Sequence, residues 1–79
     1  MGFRRGQVVI SLRGRDKGYY LAVAGEEDGF VFVCDGKERP IERAKRKNPR
    51  HLMETATVID EESMASNPRL RKTLRALSN

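Results

Sequence analysis

Turn-forming residues divide positions 1–59 into short apolar segments, and this division constrains the fold more than any other feature of the sequence. The candidate strands are residues 6–12, 19–24, 30–34, 37–43 and 51–59. None of these segments has the helical pattern of a βαβ unit beside it. The spacing predicts a mainly β fold, a small closed or nearly closed barrel of four to five strands.

The candidate strands differ in the faces that they are expected to bury. In residues 6–12, the apolar side chains Val8 and Ile10 recur at every second position, which is typical of a half-buried strand. Residues 30–34 are apolar throughout, which predicts a strand covered on both faces. Cys34 is therefore expected to be a small buried side chain.

Glycine-containing turns are predicted to connect these strands. Residues 25–29 form an acidic turn with a glycine at each end. Asp35-Gly36 is a strong hairpin signal, because both residues tolerate the positive φ of a type I′ turn, and it would lead into residues 37–43 as the returning fourth strand. Since Pro40 cannot donate a hydrogen bond to a sheet, this strand is expected at an edge or beside a bulge.

The last twenty residues have a helical pattern instead. Asn67-Pro68 predicts a helix start, with Asn67 as the cap and proline at the first helical position. Leu70, Leu74 and Leu77 follow with the spacing of one helix face, and basic residues lie around the rest of the helix. Because so short a helix is marginal alone, we expect its leucines to dock on the barrel, the other option being a partner protein. The predicted organisation is a barrel over 1–59 and a helical extension over 60–79.

The formal net charge of +5 is concentrated in one segment. Residues 37–51 hold seven basic and two acidic side chains, so they carry the whole excess. Localised positive charge is typical of a surface that binds a polyanion, although a basic run can also be only a solvated surface. The candidate contacts in and beside this run are Arg43, Lys45, Arg46, Lys47 and Arg50.

A charged loop, Gly14-Arg15-Asp16-Lys17-Gly18, connects the first two strands. Its glycines allow the backbone, Arg15 and Lys17 to approach a phosphate chain closely. Strand alternation would leave one of the following residues, Tyr19 or Tyr20, facing outward, where it could stack on a base rather than pack in the core. If the strands simply alternate up and down, this loop and the basic connection after residue 43 lie at opposite ends, unless a bent strand relaxes that geometry.

Residue types suited to catalysis or metal binding are sparse. One cysteine and one histidine leave no internal disulfide and no zinc site. The charged loop leads into a strand, whereas a nucleotide-binding P-loop opens a helix. We therefore expect no enzymatic activity and no cofactor. No targeting or membrane-spanning segment is visible, which predicts a cytoplasmic protein without a membrane partner.

Two stretches of the chain resemble a known family. Gly6-x-Val8-Val9-x-Ser11, followed by Gly14-x-Asp16-Lys17-Gly18, is similar to the KOW motif of ribosomal proteins and NusG-type transcription factors. A longer resemblance, to KOW-domain RNA-binding proteins related to the fourteen-e family of large-subunit ribosomal proteins, covers the stretches GQVVISLRGRDKGYYLAV and FVFVCDGKERPIERAKRKNPRHL. The resemblance implies an SH3-like barrel, no enzymatic activity, and RNA, in particular rRNA, as the partner. By position it adds Arg13 and His51 to the candidate contacts.

These observations support two hypotheses of different classes. The first is a ribosome-associated RNA-binding module that contacts the phosphates of structured RNA through its basic loops and Tyr19. The alternative is a protein-interaction module of the transcription or translation machinery, which would use a barrel groove or the terminal helix. A weaker third hypothesis is contact of the basic helix with an anionic membrane surface.

Overall fold

The computed structural model describes residues 2–78 and shows a five-stranded antiparallel sheet with one helix packed on it. The elements are β1 (Gln7–Ser11), β2 (Tyr20–Glu27), β3 (Phe30–Cys34), β4 (Lys45–Lys47), β5 (Leu52–Val58) and α1 (Asn67–Ser78), with single 3₁₀ turns at Ile41–Arg43 and Pro49–His51. The strand order is β4-β3-β2-β1-β5, and every neighbouring pair is antiparallel. The prediction of a mainly β fold with a C-terminal helix is confirmed. No helix among residues 2–78 is long and apolar enough to span a membrane.

The tight hairpin lies at a different place from the one predicted. Asp28 and Gly29 both have positive φ, 53° and 80°, and they connect Glu27 to Phe30 as a two-residue turn between β2 and β3. This is the backbone of a type I′ turn, which the right-handed twist of paired strands favours. Glycine 25 and the two glutamates after it belong to β2, so the predicted acidic turn over residues 25–29 is shorter than expected.

Asp35-Gly36 does not form the predicted type I′ hairpin. Only Gly36 of the two has positive φ, and the Asp35 carboxylate accepts hydrogen bonds from the backbone N–H groups of Lys37 and Arg39, each at 2.9 Å. The carboxylate therefore organises a wider turn, in the manner of an Asx turn.

The fourth strand is also displaced from its predicted position. Residues 37–43 form this turn and a 3₁₀ turn, and β4 begins only at Lys45. Pro40 explains the shift, because it lacks the N–H that a ladder requires and adopts the extended conformation that leads into the 3₁₀ turn. β4 then pairs at the sheet edge, with Val31 opposite Lys47 and Val33 opposite Lys45.

The sheet is strongly curled, because consecutive strands occupy its two opposite edges. Only residues 48–51 separate β4 from β5, and this link spans at most about 18 Å even when fully extended. The edges of a flat five-stranded sheet would lie about 19 Å apart, and the 3₁₀ turn shortens the link further. A register shift between Val23 and Gly25 in β2 marks a bulge of the kind that bends strands. The sheet is open, without a ladder between β4 and β5.

Apolar side chains fill the concave side of this curl. They come from β1, β2 and β3 and from the start of β5: Val9, Leu21, Val23, Val31, Val33 and Leu52. Val8, next to Val9 in β1, is equally buried but on the opposite face. The prediction that the first strand is half-buried is therefore wrong: α1 covers the predicted core face at Val8, and the concave side of the sheet buries Val9, which lies on the face that the sequence pattern assigned to solvent.

α1 completes the second part of the core. Leu70 and Leu74 are buried against Val8, Cys34 and Met64, which confirms the predicted docking of the helix. Leu77 remains 40% exposed. Burial raises the pKa of the Cys34 thiol to about 11, as expected for a small buried side chain surrounded by apolar groups.

The start of α1 is held by an unexpected residue. Ser66, rather than Asn67, caps the helix: its carbonyl accepts the backbone N–H of Leu70 at 3.0 Å and its hydroxyl accepts that of Arg69 at 3.4 Å. Asn67 instead accepts the backbone N–H of Ile41 at 2.8 Å through its side-chain oxygen. Asn67 therefore connects the first turn of α1 to the segment that precedes β4.

Candidate nucleic-acid interface

The loop between β1 and β2 is short and is held by backbone hydrogen bonds. Gly18 N–H donates to the Ser11 carbonyl at 2.7 Å, and Tyr19 N–H donates to the Asp16 carbonyl at 2.8 Å. Gly14 and Gly18 have φ of 88° and 87°, a conformation that side chains other than glycine rarely adopt. The glycines at both ends therefore allow the chain to make this tight reversal.

The acidic residue of the loop points inward and holds it in place. The Asp16 carboxylate accepts a hydrogen bond from the Ser11 hydroxyl at 2.8 Å and forms an ion pair with the Lys47 ammonium at 2.9 Å. Both charged side chains are only 9% exposed. The ammonium also donates to the Ser11 hydroxyl at 2.9 Å and to the Arg13 carbonyl at 3.1 Å, so each of its three protons has a partner.

The Asp16–Lys47 pair sets the charge state of the carboxyl. Burial is the largest influence and acts to raise the pKa of Asp16. The hydrogen bonds from Lys47 and Ser11, together with the charge of Lys47, outweigh it and leave the pKa below its ordinary value. Asp16 is therefore ionised at neutral pH and remains paired with the ammonium.

The structure gives Lys47 an internal role rather than a surface one. Sequence reasoning counted it among the RNA contacts, but its charge is enclosed and neutralised by Asp16. A phosphate would have to displace the carboxylate in order to reach it. We therefore leave Lys47 out of the proposed interface and treat it as the residue that orders the loop.

The pairing also brings two regions together that simple strand alternation would separate. Besides the Lys47 contact, the His51 carbonyl accepts the backbone N–H of Leu12 at 2.8 Å. The basic connection between β4 and β5 therefore lies beside the charged loop, because the sheet curls. The expectation from up-and-down alternation is wrong, and the bent strand is the reason.

Three of the predicted cationic contacts lie on the outer side of the loop. Arg13, Arg15 and Lys17 are all exposed, and Tyr19 is 48% exposed at the end of the loop. Tyr20 is only partly exposed and packs against the helix side of the core. The prediction that one of the two tyrosines faces outward is confirmed, and that residue is Tyr19.

The other predicted contacts are spread along the segment from residue 43 to residue 51. Arg46 lies over the ring of Phe30, with its guanidinium carbon 4.6 Å from the ring centroid. Arg43 lines a shallow depression together with three glutamates, Glu26, Glu27 and Glu42, which weaken its attraction for a polyanion. Lys45 and Arg50 are exposed, and His51 is half-buried.

A groove on the helix side contains residues that sequence reasoning missed. It has a volume of about 340 Å³ and lies between α1, the charged loop and the turn after β3. Both tyrosines line it, together with Lys37, Arg71 and Arg75. The i, i+4 spacing of the two arginines places them on one helix face, which is the sequence signal that could have identified them.

Among residues 2–78 no group of three or more histidine, cysteine, aspartate or glutamate side chains is arranged to hold a metal ion. A scan against protein-family models finds no match for the chain, and a search of curated proteins also finds none. The geometry of the loop and the groove, together with the sequence motifs, is therefore the basis for assigning a function.

Proposed function

We propose that the chain is a non-catalytic RNA-binding module of the KOW type, with an SH3-like barrel, which binds the phosphates of structured RNA. One observation carries the proposal. The buried Asp16–Lys47 pair holds the loop by its acidic residue, and the loop's own cations, Arg13, Arg15 and Lys17, remain exposed. Such an ordered cationic loop can approach a phosphate chain at little entropic cost.

The charge of the loop favours a polyanion over a neutral ligand. Arg15 and Lys17 take part in none of the ion pairs found among residues 2–78. Exposed cations release counterions from a nucleic acid when they neutralise its phosphates, and this release supplies most of the sequence-independent affinity. The resemblance to KOW-domain ribosomal proteins extends the proposal to rRNA and to a ribosome-associated, cytoplasmic role.

A salt titration tests the proposal. We expect the affinity for a structured rRNA fragment to fall with salt, with a log–log slope of about −0.7 to −0.9 for each phosphate contact. The double variant Arg15→Gln/Lys17→Gln should make this slope shallower by about 1.4 to 1.8, because two contacts are lost. Ribosome co-sedimentation with crosslink mapping would then test the rRNA assignment.

A matched control has the same change in net charge at another place. Arg69 and Lys72 lie on a different part of the surface, beside Glu62. The variant Arg69→Gln/Lys72→Gln should leave the slope nearly unchanged. Equal effects of the two double variants would contradict a localised interface, and a slope near zero for the unmodified protein would contradict RNA binding through phosphates.

The alternative function, a protein-interaction module using the helix, receives less support from the structure. Leu70 and Leu74, two of the three leucines that suggested it, are buried against the sheet. Leu77 alone offers too little apolar surface for a stable helix-in-groove contact.

A further inference from the structure

The groove beside α1, here called the α1 groove, has two kinds of wall. One wall is aromatic, formed by Tyr19 and Tyr20 at the start of β2, and the other is cationic, formed by Arg71 and Arg75 on α1 and by Lys37. Its volume of about 340 Å³ is at the lower end of the range for small-ligand sites.

The charges of the α1 groove are available to a ligand. Lys37, Arg71 and Arg75 are exposed, and none of them joins an ion pair among the residues that the structure describes. Asp35 is the one acidic residue lining the groove, and one of its carboxylate oxygens already accepts two backbone N–H groups. The groove therefore has an excess of positive charge beside an aromatic surface.

Tyr19 has the exposure that a stacking surface requires. Its side chain is 48% exposed, whereas Tyr20 is packed against the helix-side core and supports the wall from behind. Base stacking on an aromatic ring is available only to nucleotides that are not already stacked inside a duplex.

We propose that the α1 groove binds one unpaired nucleotide of an RNA, with its base stacked on Tyr19 and its flanking phosphates bound by Lys37, Arg71 and Arg75. The inference rests on the proposed RNA-binding function and adds a preference for single-stranded or bulged RNA. The charged loop alone would bind paired and unpaired phosphates alike, whereas the α1 groove distinguishes between them.

The tyrosine content of the chain gives a direct readout. The chain has two tyrosines and no tryptophan, and both tyrosines line the α1 groove. Intrinsic fluorescence therefore reports on this groove alone. We expect an oligouridine of about ten nucleotides, within the span of small single-strand-binding modules, to quench the fluorescence, and a duplex of equal length to bind with much less quenching.

Variants then separate stacking from charge. Tyr19→Ala should weaken oligouridine binding by about 5- to 150-fold, the range expected for loss of one base stack, and Tyr19→Phe should retain most of the affinity because the ring remains. Arg71→Gln/Arg75→Gln should make the salt slope for oligouridine shallower by about 1.4. The matched control is Arg69→Gln/Lys72→Gln, which removes the same charge from the other side of α1 and should change the slope little.

The outcomes distinguish the two proposals. If Arg15→Gln/Lys17→Gln weakens RNA binding while Tyr19→Ala does not affect oligouridine, the α1 groove proposal is overturned and the RNA-binding function stands. If neither oligouridine nor duplex binds, the proposed function itself fails. Equal competition by polyglutamate would also overturn the nucleotide assignment, in favour of an acidic peptide as the occupant.

Discussion

Replacing Lys47 with methionine would test the structural role of the Asp16–Lys47 pair most directly. Methionine has a similar length but no charge, so the variant leaves the Asp16 carboxylate buried with the Ser11 hydroxyl as its remaining side-chain donor. It also removes the donor to the Arg13 carbonyl. The charged loop would lose its connection to β4.

The expected cost follows from the burial of both charges. Removing one partner of a buried ion pair costs about 3–5 kcal/mol, because it leaves an uncompensated charge in a poorly solvated site. At 9% exposure for each side chain, solvent relieves little of this penalty. A domain of this size has a free energy of unfolding of about 4–12 kcal/mol, so the loss is a large fraction of the total. Asp16→Asn/Lys47→Met should recover part of it, since no charge then remains buried.

Urea denaturation of the four proteins in this double-mutant cycle measures the coupling. We expect a coupling energy of about 1–3 kcal/mol at neutral pH. The deficit of Lys47→Met relative to the unmodified protein should shrink on acidification, because burial without the ammonium raises the pKa of Asp16 and protonation then removes the unpaired charge. A cost under about 1 kcal/mol for Lys47→Met, with additive effects in the cycle, would contradict a structural role for the Asp16–Lys47 pair.

Three further predictions concern the fold. Asp16 has a lowered pKa in the folded state, so its contribution to stability is complete above its ordinary pKa of 3.8 and is lost as the pH falls through its folded-state pKa. The free energy of unfolding should therefore fall more steeply on acidification for the unmodified protein than for Asp16→Asn. Gly36→Ala should destabilise the fold by about 2–4 kcal/mol, because Gly36 has φ of 79° and an added Cβ would collide with the Asn67 carbonyl. Gly18→Ala, at φ of 87° but in open space, should cost only about 1–2 kcal/mol, and thermal melts of the two variants measure the difference. The Cys34 thiol, with a pKa of about 11, should react with a water-soluble thiol reagent at pH 8 only as fast as the protein unfolds, and rapid native-state labelling would contradict its burial.

Sequence patterns predicted those strands whose position follows directly from their own apolar side chains. The third strand runs from Phe30 to Cys34 as expected, because a continuous apolar run bounded by turn residues has little alternative to a strand. The prediction that it is covered on both faces is wrong, since Phe30 and Phe32 are only partly buried. The fourth strand could not be placed in this way. Lys45–Lys47 contains no apolar residue, and it forms a strand only because the exposed edge of β3 is available for pairing. Tertiary pairing therefore overrode local propensity at this edge.

The turns could be predicted only in part from their residues. Asp28-Gly29 and Asp35-Gly36 are the same dipeptide, yet only the first forms the two-residue turn with positive φ at both positions. Pro40 distinguishes them, because it prevents the segment after Asp35-Gly36 from returning directly along β3. The dipeptide gives the tendency to turn, and the next few residues decide whether a strand can follow.

For the candidate interface, too, the composition indicated a region of the chain but not how its side chains are arranged in space. The charge distribution indicated the candidate region and the glycine spacing indicated the loop, but neither could show that Lys47 faces inward. A burial assignment for Lys47 requires knowing that the sheet curls and brings β4 beside the loop, which is a long-range consequence of strand order. The sequence likewise placed Arg71 and Arg75 on one helix face. It could not show that they lie near Tyr19, because the docking angle of α1 depends on the whole core.

The Asp16–Lys47 pair connects the fold with the candidate interface, since one buried contact both stabilises the fold and orders the charged loop. Asp16 is the only acidic residue in a loop whose other charged residues are cations, and at the surface it would cancel part of their attraction for phosphate. Its burial against Lys47 removes one negative and one positive charge from the surface together, so the net charge is unchanged while the loop becomes wholly cationic on its outer side. If the proposed function holds, the geometry, rather than the total of +5, is what would give the loop its selectivity for a polyanion.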